Sequence, residues 1–286
     1  MELVLIQILN GVQYGLLIFL AASGLTLVFG IMGVINLSHG SFYMLGAYLS
    51  LTLTSLFGDI FLALAVGIPL AFLFGAFIEW IFIRHLYDRD HLQQVLLTFG
   101  LILIFNESQR ILWGTRPHSV PIPSYLSGSV RLSDVLSYPV YRIAVAVICV
   151  ALALAMMFVI QRTRIGRMLR AGESNREMVE ALGIDTRWLF RFVFAAGVSL
   201  AAAAGIIAAP IESVYPGIGE RVLIISFVVV VIGGIGSVKG AFVGALLIGL
   251  ADAFGKVFVP QFASVIIYAL MAAVLIARPG GLFGRA

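Results

Sequence analysis

Charge is what this sequence has least of. Only 11% of its 286 residues are Asp, Glu, Lys or Arg and 61% are hydrophobic, whereas an ordinary soluble domain has about 25% charged and about 45–50% apolar residues. A single soluble core cannot hide that much apolar surface, so lipid is the solvent for most side chains. Cysteine is nearly absent: Cys149 stands alone in the middle of an apolar run, which excludes an intrachain disulfide and a redox or metal pair. The four histidines, at 39, 85, 91 and 118, lack metal-ligand spacing. No phosphate-binding G-x-x-x-x-G-K-[ST] loop occurs. The nearest stretch, Gly233-Gly-Ile-Gly-Ser-Val-Lys239, has neither Gly before the lysine nor Ser or Thr after it. No G-x-S-x-G is present, and Gly217-Ile-Gly219-Glu220 is only a loose echo of an intramembrane aspartyl protease motif. A basic segment is also missing at Met1-Glu2-Leu3, so the first apolar run is expected to stay as a helix and not to be cleaved as a secretory signal.

What is present is a series of long apolar runs, over 3–29, 40–57, 60–83, 93–113, 140–160, 189–209, 222–236, 240–258 and 262–277. A helix needs about 20 such residues to cross a bilayer. The pattern predicts an all-α polytopic bundle of eight or nine transmembrane segments in one domain over residues 1–286. The count turns on the seventh run, whose β-branched stretch Val222 to Ile232 is only about half a span and reads as a half-helix or re-entrant element.

The net charge of +4 does not indicate a nucleic-acid partner, because the basic residues sit in short loops rather than on one polar face. They are topology signals. Arg162, Arg164, Arg167, Arg170, Arg176, Arg187 and Arg191 are seven of the 18 Lys and Arg residues in the chain, which predicts that the 161–188 loop is cytoplasmic. Counting outward, the Pro-rich stretch 114–139 falls on the periplasmic side as an irregular lid. Nine full crossings put the N-terminus outside. Within the inner loop, Glu173 to Gly183 reads as a short amphipathic helix. Met178, Ala181 and Leu182 share one face, Glu173, Glu177 and Glu180 lie largely on another, and Gly183 serves as a stop. Such a helix is either a docking element for a cytoplasmic partner or a well-folded loop.

Polar residues inside apolar runs are the candidate path. Asn36, Ser38, His39 and Gly40 interrupt the first two spans with hardly a charge, and Tyr43 follows one turn later. Irregular polar backbone at membrane depth is tolerated only when buried in protein or beside water. These residues either line a transport path or act locally, with Asn36 or Ser38 capping the second helix. Asn10, Gln13 and Tyr14 in the first run serve either as interhelical contacts or as path wall. Glu107 with Arg110 and Asp252 with Lys256 are spaced for local pairing near helix ends, and Glu79 is isolated in its run. No column of acids suggests a proton relay. That argues against the alternatives of an ion-coupled secondary transporter, a channel or an intramembrane protease.

Several blocks together resemble the permease subunits of branched-chain amino acid ABC transporters, of the LivH type. They are Asn10-Gly-Val-Gln-Tyr-Gly15, Gly24-Leu-Thr-Leu-Val-Phe-Gly30, Ile35-Asn-Leu-Ser-His-Gly40, Gly233-Gly-Ile-Gly-Ser-Val-Lys-Gly240 and Arg278-Pro-Gly-Gly-Leu-Phe283. The resemblance runs from end to end. It implies a non-enzymatic importer subunit in a bacterial inner membrane, working with a second related permease, two cytoplasmic ATPases and a periplasmic solute-binding protein. ATP and Mg would be held by the ATPases and no cofactor by this chain. It also implies that the inner helix is the coupling element, with Arg167, Arg170, Glu173, Glu177, Glu180 and Gly183 at the ATPase contact, although Gly183 directly after Glu-Ala-Leu departs from the EAA pattern of other importers. Gln13, Tyr14, Asn36, Ser38, His39, Gly40 and Tyr43 become the expected translocation path. Solutes of the family include branched-chain amino acids, urea, amides, and aromatic or dicarboxylic acids.

Overall fold

The computed structural model describes residues 2–131, 136–174 and 176–284, with the side chains of 173–177 outside the description. Eleven helices hold most of the described residues: α1 Glu2–Met32, α2 His39–Phe57, α3 Ile60–Ile81, α4 His91–Trp113, α5 Val140–Arg162, α6 Arg164–Ser174, α7 Arg176–Ala181, α8 Thr186–Ala208, α9 Ile218–Gly233, α10 Val238–Phe258 and α11 Ala263–Ala277. The fold is an all-α polytopic bundle. Among the described residues seven helices are long and apolar enough to cross a membrane: α1, α3, α4, α5, α8, α10, and α11 with the short turn that precedes it. The helix α9 has 16 residues, about 24 Å at 1.5 Å per residue, and is too short for that criterion. In α2 the Ser, Thr and Tyr side chains reduce the apolar character.

Local chemistry sets the helix starts. Asp59 accepts from the Phe61 and Leu62 amides at 2.7 and 3.1 Å to begin α3, and Asp185 does the same for Arg187 and Trp188 at 2.9 and 3.4 Å to begin α8. Ser237 caps α10 by accepting from the Gly240 amide at 3.1 Å.

Burial sorts the helices into centre and rim. In their most apolar stretches α1 and α8 are 78% buried, whereas α11 is only 11% buried and α4 and α5 are each 22% buried. The centre is built from small residues. Gly24 of α1 and Gly197 of α8 meet backbone to backbone, as do Gly40 in α2 and Gly219 in α9. In lipid, hydrophobic exclusion does not pull helices together, so close approach through small residues supplies much of the packing attraction.

The two ends of the bundle differ. At one, β1 Ser129–Arg131 pairs antiparallel with β2 Ser137–Pro139, and His118 bridges to Val214 through two 2.8 Å backbone bonds. The Tyr125 hydroxyl donates to the Asp59 carboxylate there. The expected irregular lid over 114–139 thus contains a small hairpin, and Leu132 to Val135 lie outside the described residues. At the other end, α6 and α7 lie beside the starts and ends of their neighbours, and the tail is fastened by Leu282 and Phe283 amides donating to the Ile232 and Gly233 carbonyls at 2.8 and 3.0 Å.

Candidate functional site

Chain reversal between α1 and α2 places the first group of predicted residues. Gly33 leaves the helix at φ +66°, and the chain re-enters helix at His39. Asn36 Oδ1 accepts from the Ser38 amide at 3.1 Å and from the Ser38 hydroxyl at 2.6 Å, so Asn36 forms a local turn and Ser38 makes no side-chain cap. The Nε2 of His39 lies 2.9 Å from the Ala21 carbonyl. Because a carbonyl only accepts, the proton is on Nε2 and Nδ1 is left as an acceptor. Both Asn36 Nδ2 and His39 Nδ1 are buried without a hydrogen-bond partner. Asn36, Ser38, His39, Gly40 and Tyr43 are all buried within the protomer, and a Cβ on Gly40 would run into the Gly219 carbonyl oxygen. The structure therefore brings this group together as a helix start packed against the start of α9.

Gln13 and Tyr14 line a polar cavity of about 240 Å³ at the end of the bundle that carries the hairpin, and Tyr14 also shares a smaller cavity with Tyr43 of that group. Arg142 donates to Asn10 Oδ1 at 2.6 Å, Lys256 pairs with Asp252 at 2.6 Å, and Lys256 also lies 5.3 Å from the centre of the Tyr14 ring. Glu212 completes the wall. The cavity thus holds two acids and two bases, and aliphatic groups of Leu17, Ile211 and Val257 share the lining. Arg142 and Glu212 carried no sequence signal, since each gains its meaning only from residues far away in the chain.

The arginine-rich loop is the third element. The helix expected over 173–183 falls on the end of α6 and on α7, which lie on either side of residue 175, a residue outside the description; Glu173 and Glu177, predicted at the ATPase contact, have side chains outside it too. Arg167 and Arg170 are exposed, and Arg170 donates to the Ile160 carbonyl at the end of α5. Gly183 takes φ +81° and its amide donates to the Glu180 carbonyl at 2.9 Å, which closes α7 in a left-handed turn. Glu180 accepts from the Thr186 hydroxyl, tying α7 to the first residue of α8. One turn further, Arg191 Nε donates to Glu79 Oε2 at 2.7 Å, and the Tyr87 hydroxyl donates to the other oxygen. A chain of contacts therefore runs from the loop through α8 to α3. Val179 is buried under α7, while Leu182 is 73% exposed beside the exposed Ala181.

The family model for the branched-chain amino acid transport system permease component matches residues 7–275. That span includes all three elements. The chain belongs to this permease family. Among relatives, the permease is 32% identical to the high-affinity branched-chain amino acid transport system permease protein BraD of Pseudomonas aeruginosa, covering 98% of this chain and 95% of BraD. It is 31% identical to the corresponding LivH of Escherichia coli over the same shares of the two chains. The ribose import permease protein RbsC of Haemophilus influenzae is 27% identical, with 81% of this chain and 71% of RbsC covered. No solved structure matches the permease.

Proposed function

We propose that this permease is the translocation subunit of an ABC importer in a bacterial inner membrane, carrying branched-chain amino acids or related small polar solutes. The observation that carries the proposal is the similarity to branched-chain amino acid permeases along 98% of the chain. In this reading α2 and α9 also cross, which gives nine segments, an outer N-terminus, an outer 114–139 loop and an inner 161–188 loop. Seven arginines between 162 and 191 support that orientation. A second, homologous permease completes the path, a periplasmic binding protein delivers solute, and two ATPases holding ATP and Mg seat against α6, α7 and Gly183. Arg167, Arg170, Glu173, Glu177 and Glu180 serve that contact.

The path opens and closes where helices slide on one another. Gln13 and Tyr14 receive solute at the outer cavity, and Asn36, Ser38, His39, Gly40 and Tyr43 form the buried helix start that bears on α9. Two unpartnered polar atoms there favour a segment that exchanges partners between states. Proteoliposomes test the proposal. With all four membrane and ATPase subunits, binding protein outside and ATP inside, labelled leucine should accumulate, and omitting ATP or either ATPase should abolish uptake. Accumulation by this chain alone under an ion gradient would favour a secondary transporter.

A further inference from the structure

Glu220 stands in an unusual place. Asn106 Nδ2 donates to Glu220 Oε1 at 2.9 Å, joining α4 to the first turn of α9 across 114 positions of the chain. The pair lies well inside the length of the bundle. Asn106 is about 10 Å along α4 from its Trp113 end and about 22 Å from its His91 end. Next to it, the Phe105 ring packs on Phe42 at 5.5 Å, and Gly219 meets the backbone of Gly40. Both contacts fall at the start of α2, far from the Asp59–Tyr125 end. Even so Glu220 is exposed, and the open face continues to Ile224, 49% exposed one turn further.

A carboxylate at that depth does not face hydrocarbon; ionisable groups inside spans face a wet cavity or another protein. Among the described residues no Lys or Arg forms a salt bridge with Glu220, and Asn106 engages only one of its two oxygens. The neighbouring Arg221 lines the small cavity that Tyr14, Tyr43 and Glu212 share. We infer that the α4–α9 face is a wall of the water-filled solute path and that Glu220, positioned by Asn106, contacts the ammonium group of the passing solute. The inference rests on the importer reading. A single exposed oxygen holds an ammonium loosely enough to release it, as a path requires, and the first turn of α9 is where a helix favours negative charge.

Two measurements on the assembled complex test this. In a Cys149→Ala background, the Glu220→Cys variant should react with a charged, membrane-impermeant thiol reagent, and leucine with binding protein and ATP should change the rate. Glu220→Gln, which keeps the shape and an acceptor for Asn106, should lower leucine uptake tenfold or more, and Glu220→Asp should retain a measurable share. Failure of the thiol to react, or normal uptake by Glu220→Gln, would overturn the proposal. Uptake of neutral amides but not of leucine by the unaltered complex would overturn the ammonium contact and leave the importer reading standing. Absence of any ATP-driven uptake with the thiol still reactive would instead overturn the importer reading.

Discussion

Glu79 of α3 is fully buried and is held by Arg191 of α8, whose Nε donates to its Oε2 at 2.7 Å. The arginine belongs in sequence to the arginine-rich cluster between 162 and 191, yet it reaches inward to neutralise a carboxylate 112 positions away. Arg191→Met leaves that carboxylate with the Tyr87 hydroxyl alone and should destabilise the permease by about 3 kcal/mol, the low end for breaking a buried pair, since Arg191 is partly exposed. Adding Glu79→Gln should restore much of the loss. Thermal unfolding in detergent of the single and double variants measures both.

The start of α2 makes a steric prediction. Gly40 has no room for a side chain against Gly219, so Gly40→Leu should abolish uptake, and even Gly40→Ala should destabilise by about 1–3 kcal/mol through overpacking. His39→Gln should keep much of the uptake, because an amide can donate to the Ala21 carbonyl as Nε2 does. Uptake assays on inserted protein separate the two; full uptake by Gly40→Leu would remove the α2–α9 contact from the moving path.

At the loop, a Cβ on Gly183 meets nothing within 4 Å, so the penalty for Gly183→Val comes from its left-handed backbone, about 1–2 kcal/mol. Reshaping the end of α7 should raise the ATP hydrolysed per solute transported, as should Glu180→Lys, which also loses the Thr186 contact. An unchanged ratio in either variant would dissociate the loop from coupling.

The hairpin end gives a pH dependence. The Tyr125 hydroxyl, with the Phe61 and Leu62 amides, holds the Asp59 carboxyl below the usual carboxylate range, while removal from water and Asp59 itself push the Tyr125 phenol up to about 12. A lowered folded-state pKa means stability that is present above about pH 4 and lost as pH falls through the folded value. Asp59→Asn keeps a cap without the charge. The melting temperature of the native protein should therefore exceed that of Asp59→Asn at pH 7, and the gap should close below about pH 4.

How much of this was legible in the sequence depends on the range of the interaction. Apolar run length predicted each long helix to within a few residues, as in 40–57 against His39–Phe57, because lipid forces the backbone to satisfy itself within one helix. Local pairs were legible too: Glu107 with Arg110 at 3.2 Å and Asp252 with Lys256 at 2.6 Å. Contacts set by tertiary packing were not. Nothing near Glu79 in the sequence points to Arg191, nor near Asn10 to Arg142. The sequence offers Asn36 as a helix cap or a path residue; its side chain accepts from Ser38 in a turn ahead of α2, and the burial of that turn was not legible because the neighbours that cover it come from other parts of the chain.

The central claim, that a passive path is driven through the arginine-rich loop by ATPases beneath it, meets its most direct test in cysteine accessibility. In a Cys149→Ala background, Leu182→Cys should react with an impermeant thiol reagent only from the ATP side, and bound ATPases should protect it, whereas Ser119→Cys should react only from the opposite side. Reaction of Leu182→Cys from the Ser119 side, or its indifference to the ATPases, would contradict the account.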